Sequence, residues 1–207
     1  MEISQLNERI SAFKAEMQRL AEKGDGRDLL SWTGEQLAAA AEELRQSAPD
    51  DRTAMALYVM YVSRPHISCL YDAGMPLDAL ATGLMVLMSC LVQKADPEQM
   101  PSGYVAYLQN LFVLATALAS NQQLLAADPD GHLGRIAAML GALEVATVEA
   151  MPGLPQQFLD TDAAIRAEID ELAPSERTFD GHPITATMAL DIAADSISRL
   201  KSLGLEM

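Results

Sequence analysis

Six apolar residues near the start of the chain, Ile3, Leu6, Ile10, Phe13, Met17 and Leu20, recur with gaps of 3, 4, 3, 4 and 3. That spacing lines them up on one face of an α-helix; a strand, whose side chains alternate with period two, would scatter them over both faces. Glu8, Arg9, Lys14, Glu16, Arg19 and Glu22 stand between them and supply a solvated opposite face. The segment 2–23 is therefore predicted as a heptad-patterned helix, ended by Gly24-Asp25-Gly26. A stripe of almost three heptads is marginal as a free coiled coil, so it must dock. The tight reversal at Gly24–Gly26 favours docking onto the next helix of the same chain. A homodimer through the N-terminal helix is the alternative, and the six stripe residues are the candidate interaction surface.

The rest of the chain repeats the helical period. Helices are expected over 34–47, 53–73 with a break at Pro65, 77–94, 103–127, 133–150, 162–172 and 183–203. Turn chemistry separates them, as in Ala48-Pro49-Asp50-Asp51, Gly74-Met75-Pro76, Asp128-Pro129-Asp130-Gly131 and Met151-Pro152-Gly153. No segment alternates apolar and polar residues as a strand would. The expected fold is all-α, an antiparallel multi-helix bundle or short α-solenoid of about 7–9 helices. It is read as one helical domain over 1–207, with 1–24 as the heptad-patterned helix and 160–182 as an acidic, loop-rich segment.

Composition narrows the partners. Half the residues are apolar but only 5% are aromatic, so Leu, Ala, Ile, Val and the 12 Met must build the core. A net charge of −15 disfavours nucleic acid and anionic membrane surfaces, which select clustered Lys and Arg. Cys69 and Cys90 are too few for a disulfide framework. No basic segment followed by an apolar run opens the chain, so a cytoplasmic location is expected. No charged residue lies between Glu98 and Asp128. Gln109 and Asn110 interrupt that apolar run and its flanks are acidic, which points to a buried core helix and not to a membrane span.

Around Gly74 the chain reads Asp72-Ala73-Gly74-Met75-Pro76-Leu77-Asp78-Ala79-Leu80. Gly74, Asp78, Ala79 and Leu80 resemble the inter-helix turn of a tetratricopeptide repeat over about residues 58–91. Gly83 stands where that family usually has a large aromatic, Pro97 arrives late, and no second copy recurs at a period of about 34 residues. The resemblance implies an α-solenoid-like, TPR-like fold that binds protein segments.

Motifs that carry chemistry are sparse. Walker A, GxSxG, HExxH and CxxC patterns do not occur, and Leu29 replaces the third glycine of a GxGxxG that would start at Gly24. His66 and Cys69, three apart on a helix, supply two metal-type ligands, one or two short of a site. Asp180, His182, Asp191 and Asp195 form a candidate polar site if the irregular loop before residue 183 meets the last helix. No residue is assigned to catalysis, to a cofactor or to a metal. The expected function is a non-catalytic helical interaction or scaffold protein that binds a protein partner or itself. One alternative is a bundle holding an apolar small molecule or lipid in a pocket lined by Met55, Met60, Met75, Met85 and Met88. An enzyme built on the polar site is the third.

Overall fold

A computed structural model describes residues 3–172 and 194–198. Among the described residues there is no strand, and the chain is an all-α helical bundle. Its helices are α1 (Ile3–Glu22), α2 (Gly26–Gln46), α3 (Arg52–Asp72), α4 (Pro76–Val92), α5 (Pro101–Ala119), α6 (Gln122–Ala127), α7 (His132–Ala150) and α8 (Gln156–Leu172). Short 3-10 turns at Pro49–Asp51 and Pro97–Gln99 precede α3 and α5, and residues 194–198 are helical. Two compact units lie within Met1–Gln99 and Met100–Met207.

In the first unit α2 and α3 form an antiparallel hairpin, α4 returns along α3, and α1 packs on both α2 and α3. The heptad stripe therefore seats within its own chain. Leu6, Phe13 and Leu20 are buried, while Ile10 and Met17 are half-buried; the side chain of Ile3 lies outside the described residues. Phe13 is the key of this seam. Its ring stacks on Trp32 of α2 at 5.0 Å and meets Tyr61 of α3 edge-on at 6.1 Å. The turn between α3 and α4 closes with left-handed Gly74 (φ 79°), and the Met75 amide donates to the Leu70 carbonyl at 2.9 Å. This is a glycine-based C-cap of the Schellman kind.

In the second unit α7 lies between α5 and α8. Gln109 meets Glu144, and Phe112 flanks Gly141, so α5 and α7 run antiparallel. An added Cβ at Gly141 would sit 2.8 Å from both Ile169 Cγ1 of α8 and Phe112 Cε2 of α5, so glycine sets how closely the three helices approach. The buried Asp128 carboxylate caps α7, accepting from the amides of His132 at 2.9 Å and Leu133 at 2.8 Å. Asp128→Ala is expected to lower stability by about 1–2 kcal/mol, read by urea unfolding with far-ultraviolet circular dichroism. A loss within error of zero would remove the cap from the account.

Several boundaries differ from the sequence expectations for local reasons. Helix α2 starts eight residues earlier, at Gly26, because Asp25 Oδ1 accepts from the Arg27 and Asp28 amides and nucleates it there. Pro65 does not break α3: burial of Met60, Val62 and Ser63 before it and Leu70 after it outweighs the lost backbone bond. The expected 103–127 helix divides at Asn121, whose side chain caps α6 by accepting from Gln123 and Leu124. The acidic segment from 160 is helical to Leu172, and its remainder lies outside the described residues.

Candidate functional site

Three polar clusters and one apolar face hold the side chains with chemical potential. The first cluster lies between α2 and α3. Thr33, fully buried, donates to the Leu29 or Leu30 carbonyl at about 3 Å, and its Oγ1 lies 3.0 Å from His66 Nδ1. Gly34 makes room for the imidazole, since a Cβ there would stand 3.1 Å from His66 Cε1. Burial lowers the His66 pKa, and burial raises that of Cys69, which also bonds to Thr33. The pair is thus neutral imidazole and thiol at neutral pH, the opposite of an activated nucleophile and its base. Cys90 is more deeply buried, which pushes its thiol up to about 12. Among the described residues no three His, Cys, Asp or Glu side chains gather as metal ligands.

The second cluster joins α1 to α2. Arg9 forks onto Glu43, with Nη1 at 2.7 Å and Nη2 at 3.0 Å, and its guanidinium lies 4.2 Å over the Tyr58 ring. Arg9 and Glu43 wall a shallow groove of about 570 Å³ that Gln46, Ser47, Asp51 and Met55 also line.

The third cluster is in the second unit. Glu144 of α7 is fully buried. Its Oε1 accepts from Gln109 Nε2 at 2.7 Å, and the same amide donates to the Phe158 carbonyl at 3.1 Å. Asp162 of α8 faces Glu144 and accepts from Arg166 Nε at 2.7 Å, while Arg166 Nη1 reaches Glu149 at 3.0 Å. Burial raises the Glu144 pKa to about 7; the Gln109 bond opposes this, and the Asp162 charge adds to it.

The apolar face belongs to α4. From Met75 at its N-cap, the residues Met75, Asp78, Thr82, Met85, Ser89 and Val92 follow one another with gaps of 3, 4, 3, 4 and 3. They share one side of the helix. Met75 is 41% exposed, Met85 37% and Val92 55%, whereas Ala79, Leu80, Leu84, Leu87 and Leu91 are buried. No charged residue lies between Asp78 and Lys94, so beyond Asp78 this surface is apolar or uncharged. Exposed Tyr71 and Asp72 sit at the turn that precedes it.

Set beside the sequence expectations, the structure divides the candidates. The methionines differ in burial: Met55 and Met60 are core, Met75 and Met85 are surface, and Met88 is half-buried. Of the polar quartet, Asp195 is exposed on the helical segment 194–198, and Asp180, His182 and Asp191 lie outside the described residues. The Gln109–Glu144–Asp162–Arg166 cluster did not emerge from sequence motifs. Its signal was available: Glu144 falls four residues after Leu140 and four before Val148 on the apolar face of α7, and Gln109 interrupts an otherwise apolar α5. By length and composition α5 is apolar enough to cross a membrane; 56% of its most apolar window is buried inside the fold. Comparison with known proteins finds no matching family model, no similar curated sequence and no similar solved structure.

Proposed function

We propose that this is a non-catalytic helical interaction protein whose α4 face docks an amphipathic helix of a partner protein. The observation that carries the reading is the exposed Met75–Met85–Val92 stripe on a helix whose other sides are buried. Methionine side chains adapt to varied apolar partners, and the small Thr82 and Ser89 between them let a second helix approach closely. Charge supports a cationic partner. The chain carries 29 acidic against 14 basic residues, and Asp72 and Asp78 stand at the Met75 end of the stripe with Lys94 beyond Val92. The fitting helix therefore carries Lys or Arg over Asp72 and Asp78. The neutral state of His66 and the thiol state of Cys69 favour binding over nucleophilic catalysis as the use of this unit.

The test is a fluorescence-anisotropy titration with a labelled synthetic helix bearing Leu at every a and d position and Lys at its flanks. Saturable binding is expected, weakened roughly tenfold or more in a Met85→Asp, Val92→Asp variant. The variant adds two negative charges, so non-specific attraction of a Lys-rich peptide would strengthen. Weakening reports the apolar contact. Equal or stronger binding by the variant ends this reading. Sedimentation of the protein alone distinguishes a second copy as occupant, and native mass spectrometry distinguishes a retained lipid.

A further inference from the structure

The buried cluster of the second unit contains an imbalance of acceptors. Glu144 Oε1 is taken by Gln109 and Asp162 Oδ2 by Arg166. The other two oxygens, Glu144 Oε2 and Asp162 Oδ1, are buried and have no hydrogen-bond partner. The two carboxyl groups face each other across the α7–α8 seam, close enough to interact. Two carboxylates have only acceptors, so a hydrogen bond between these two oxygens needs a proton. We propose that Glu144 and Asp162 hold one proton between them, and that this shared proton latches α8 onto α7.

The surrounding charges place the proton on Glu144. Arg166 of α8 pairs with Asp162 at 2.7 Å and, at the far side of the same guanidinium, with Glu149 at 3.0 Å, whereas Glu144 has only the Gln109 amide. Helix α5, packed on both, carries no charged residue and offers Glu144 only the Gln109 amide. With every acid ionised, the buried Glu144 and Asp162 and the exposed Glu149 would share one guanidinium. Glu144 Oε2–H donating to Asp162 Oδ1 removes one of those charges and satisfies both orphan oxygens. The bond spans α7 and α8, so its loss loosens the α8 seam first.

The direction with pH follows. An exposed Glu in the unfolded chain titrates near 4.5, and burial raises the folded value to about 7. Between those values the folded state holds a proton that the unfolded state has released. The stabilisation is complete below pH 4.5 and disappears as pH rises through about 7. Its limiting effect is one proton, roughly tenfold in the unfolding equilibrium per pH unit.

Glu144→Gln supplies the control. Its amide nitrogen donates permanently to Asp162 Oδ1, and its carbonyl keeps the Gln109 bond, with no proton to lose. Amide hydrogen exchange by mass spectrometry, corrected for intrinsic rate, is followed over α8 from pH 5.5 to 8 in both proteins. Protection of Gln156–Leu172 is expected to fall with pH in the wild type and to stay level in the variant. Identical pH profiles overturn the proposal. Should the variant not fold, carbon-13 carboxyl titration of Glu144 in the wild type decides: a midpoint near 7 supports the shared proton, and the ordinary 4.5 overturns it.

Discussion

Phe13→Ala lowers the unfolding free energy of the first unit by about 3–5 kcal/mol. No other aromatic residue lies on α1, and Phe13 is only 4% exposed. Its ring bridges two helices, stacked on Trp32 at an interplanar angle of 23° and edge-on to Tyr61 at 80°. Truncation removes the buried ring, both aromatic contacts and the anchor between Leu6 and Leu20. The chain contains one tryptophan, and Trp32 is Phe13's stacking partner, so its emission reports the seam without a label. Urea unfolding followed by that emission should show an earlier midpoint and a weaker native signal. A loss below about 1 kcal/mol would mean that α1 is not held there. Conversion of a dimer into a folded monomer by the same substitution would transfer the stripe to an interface between copies.

Gly141→Val has the second large effect, a loss of about 3 kcal/mol in the second unit. Glycine inside a helix is disfavoured by about 1 kcal/mol relative to alanine, so its place in the middle of α7 calls for a packing reason. The reason is distance: any Cβ meets Ile169 Cγ1 and Phe112 Cε2 at 2.8 Å. Valine adds branching to that clash and forces α8 or α5 outward. Glu144 lies three residues along the same helix, so the separation also draws Asp162 away from it. Thermal unfolding should report a lower midpoint, and the Glu144 carboxyl should titrate lower than in the wild type. A midpoint equal to or above the wild-type value would contradict the close approach of α5, α7 and α8.

The sequence made some of this architecture legible, and the physical reasons differ between elements. Helix α1 could be read because its stripe is its only apolar surface. A polar background makes the pattern visible and also requires that the stripe be covered. The same run of gaps recurs in α4, from Met75 to Val92, but apolar residues on all sides hide it. Periodicity alone does not say which of several apolar faces turns outward, so the candidate docking surface became visible only with burial. Helix ends depended on side-chain caps. Asp25 and Asn121 act within two or three residues of themselves, yet each competes with several equally plausible turn residues nearby. Pro65 misled because tertiary burial overrode a local preference. The Glu144 cluster combines residues 35 and 49 positions apart from Gln109, a separation that no short motif spans.

The first unit carries two kinds of surface. Arg9, Glu43 and Tyr58 fasten α1 to its neighbours through a charge pair and a ring contact, so their polarity serves the fold. Met75, Met85 and Val92 stay at the surface on a helix whose one charged residue is Asp78, where ordering them against water brings no internal gain. That contrast makes α4 the place to look for a partner.

The methionines supply the most direct measurement. With carbon-13-labelled methionine methyl groups, the synthetic Lys-flanked helix is titrated into the full chain and each assigned methyl resonance is followed. The account predicts saturable shifts at Met75 and Met85, with the buried Met55 and Met60 unmoved. Shifts confined to Met55, beside the Arg9–Glu43 groove, or no saturable shift at Met75 and Met85, would contradict it.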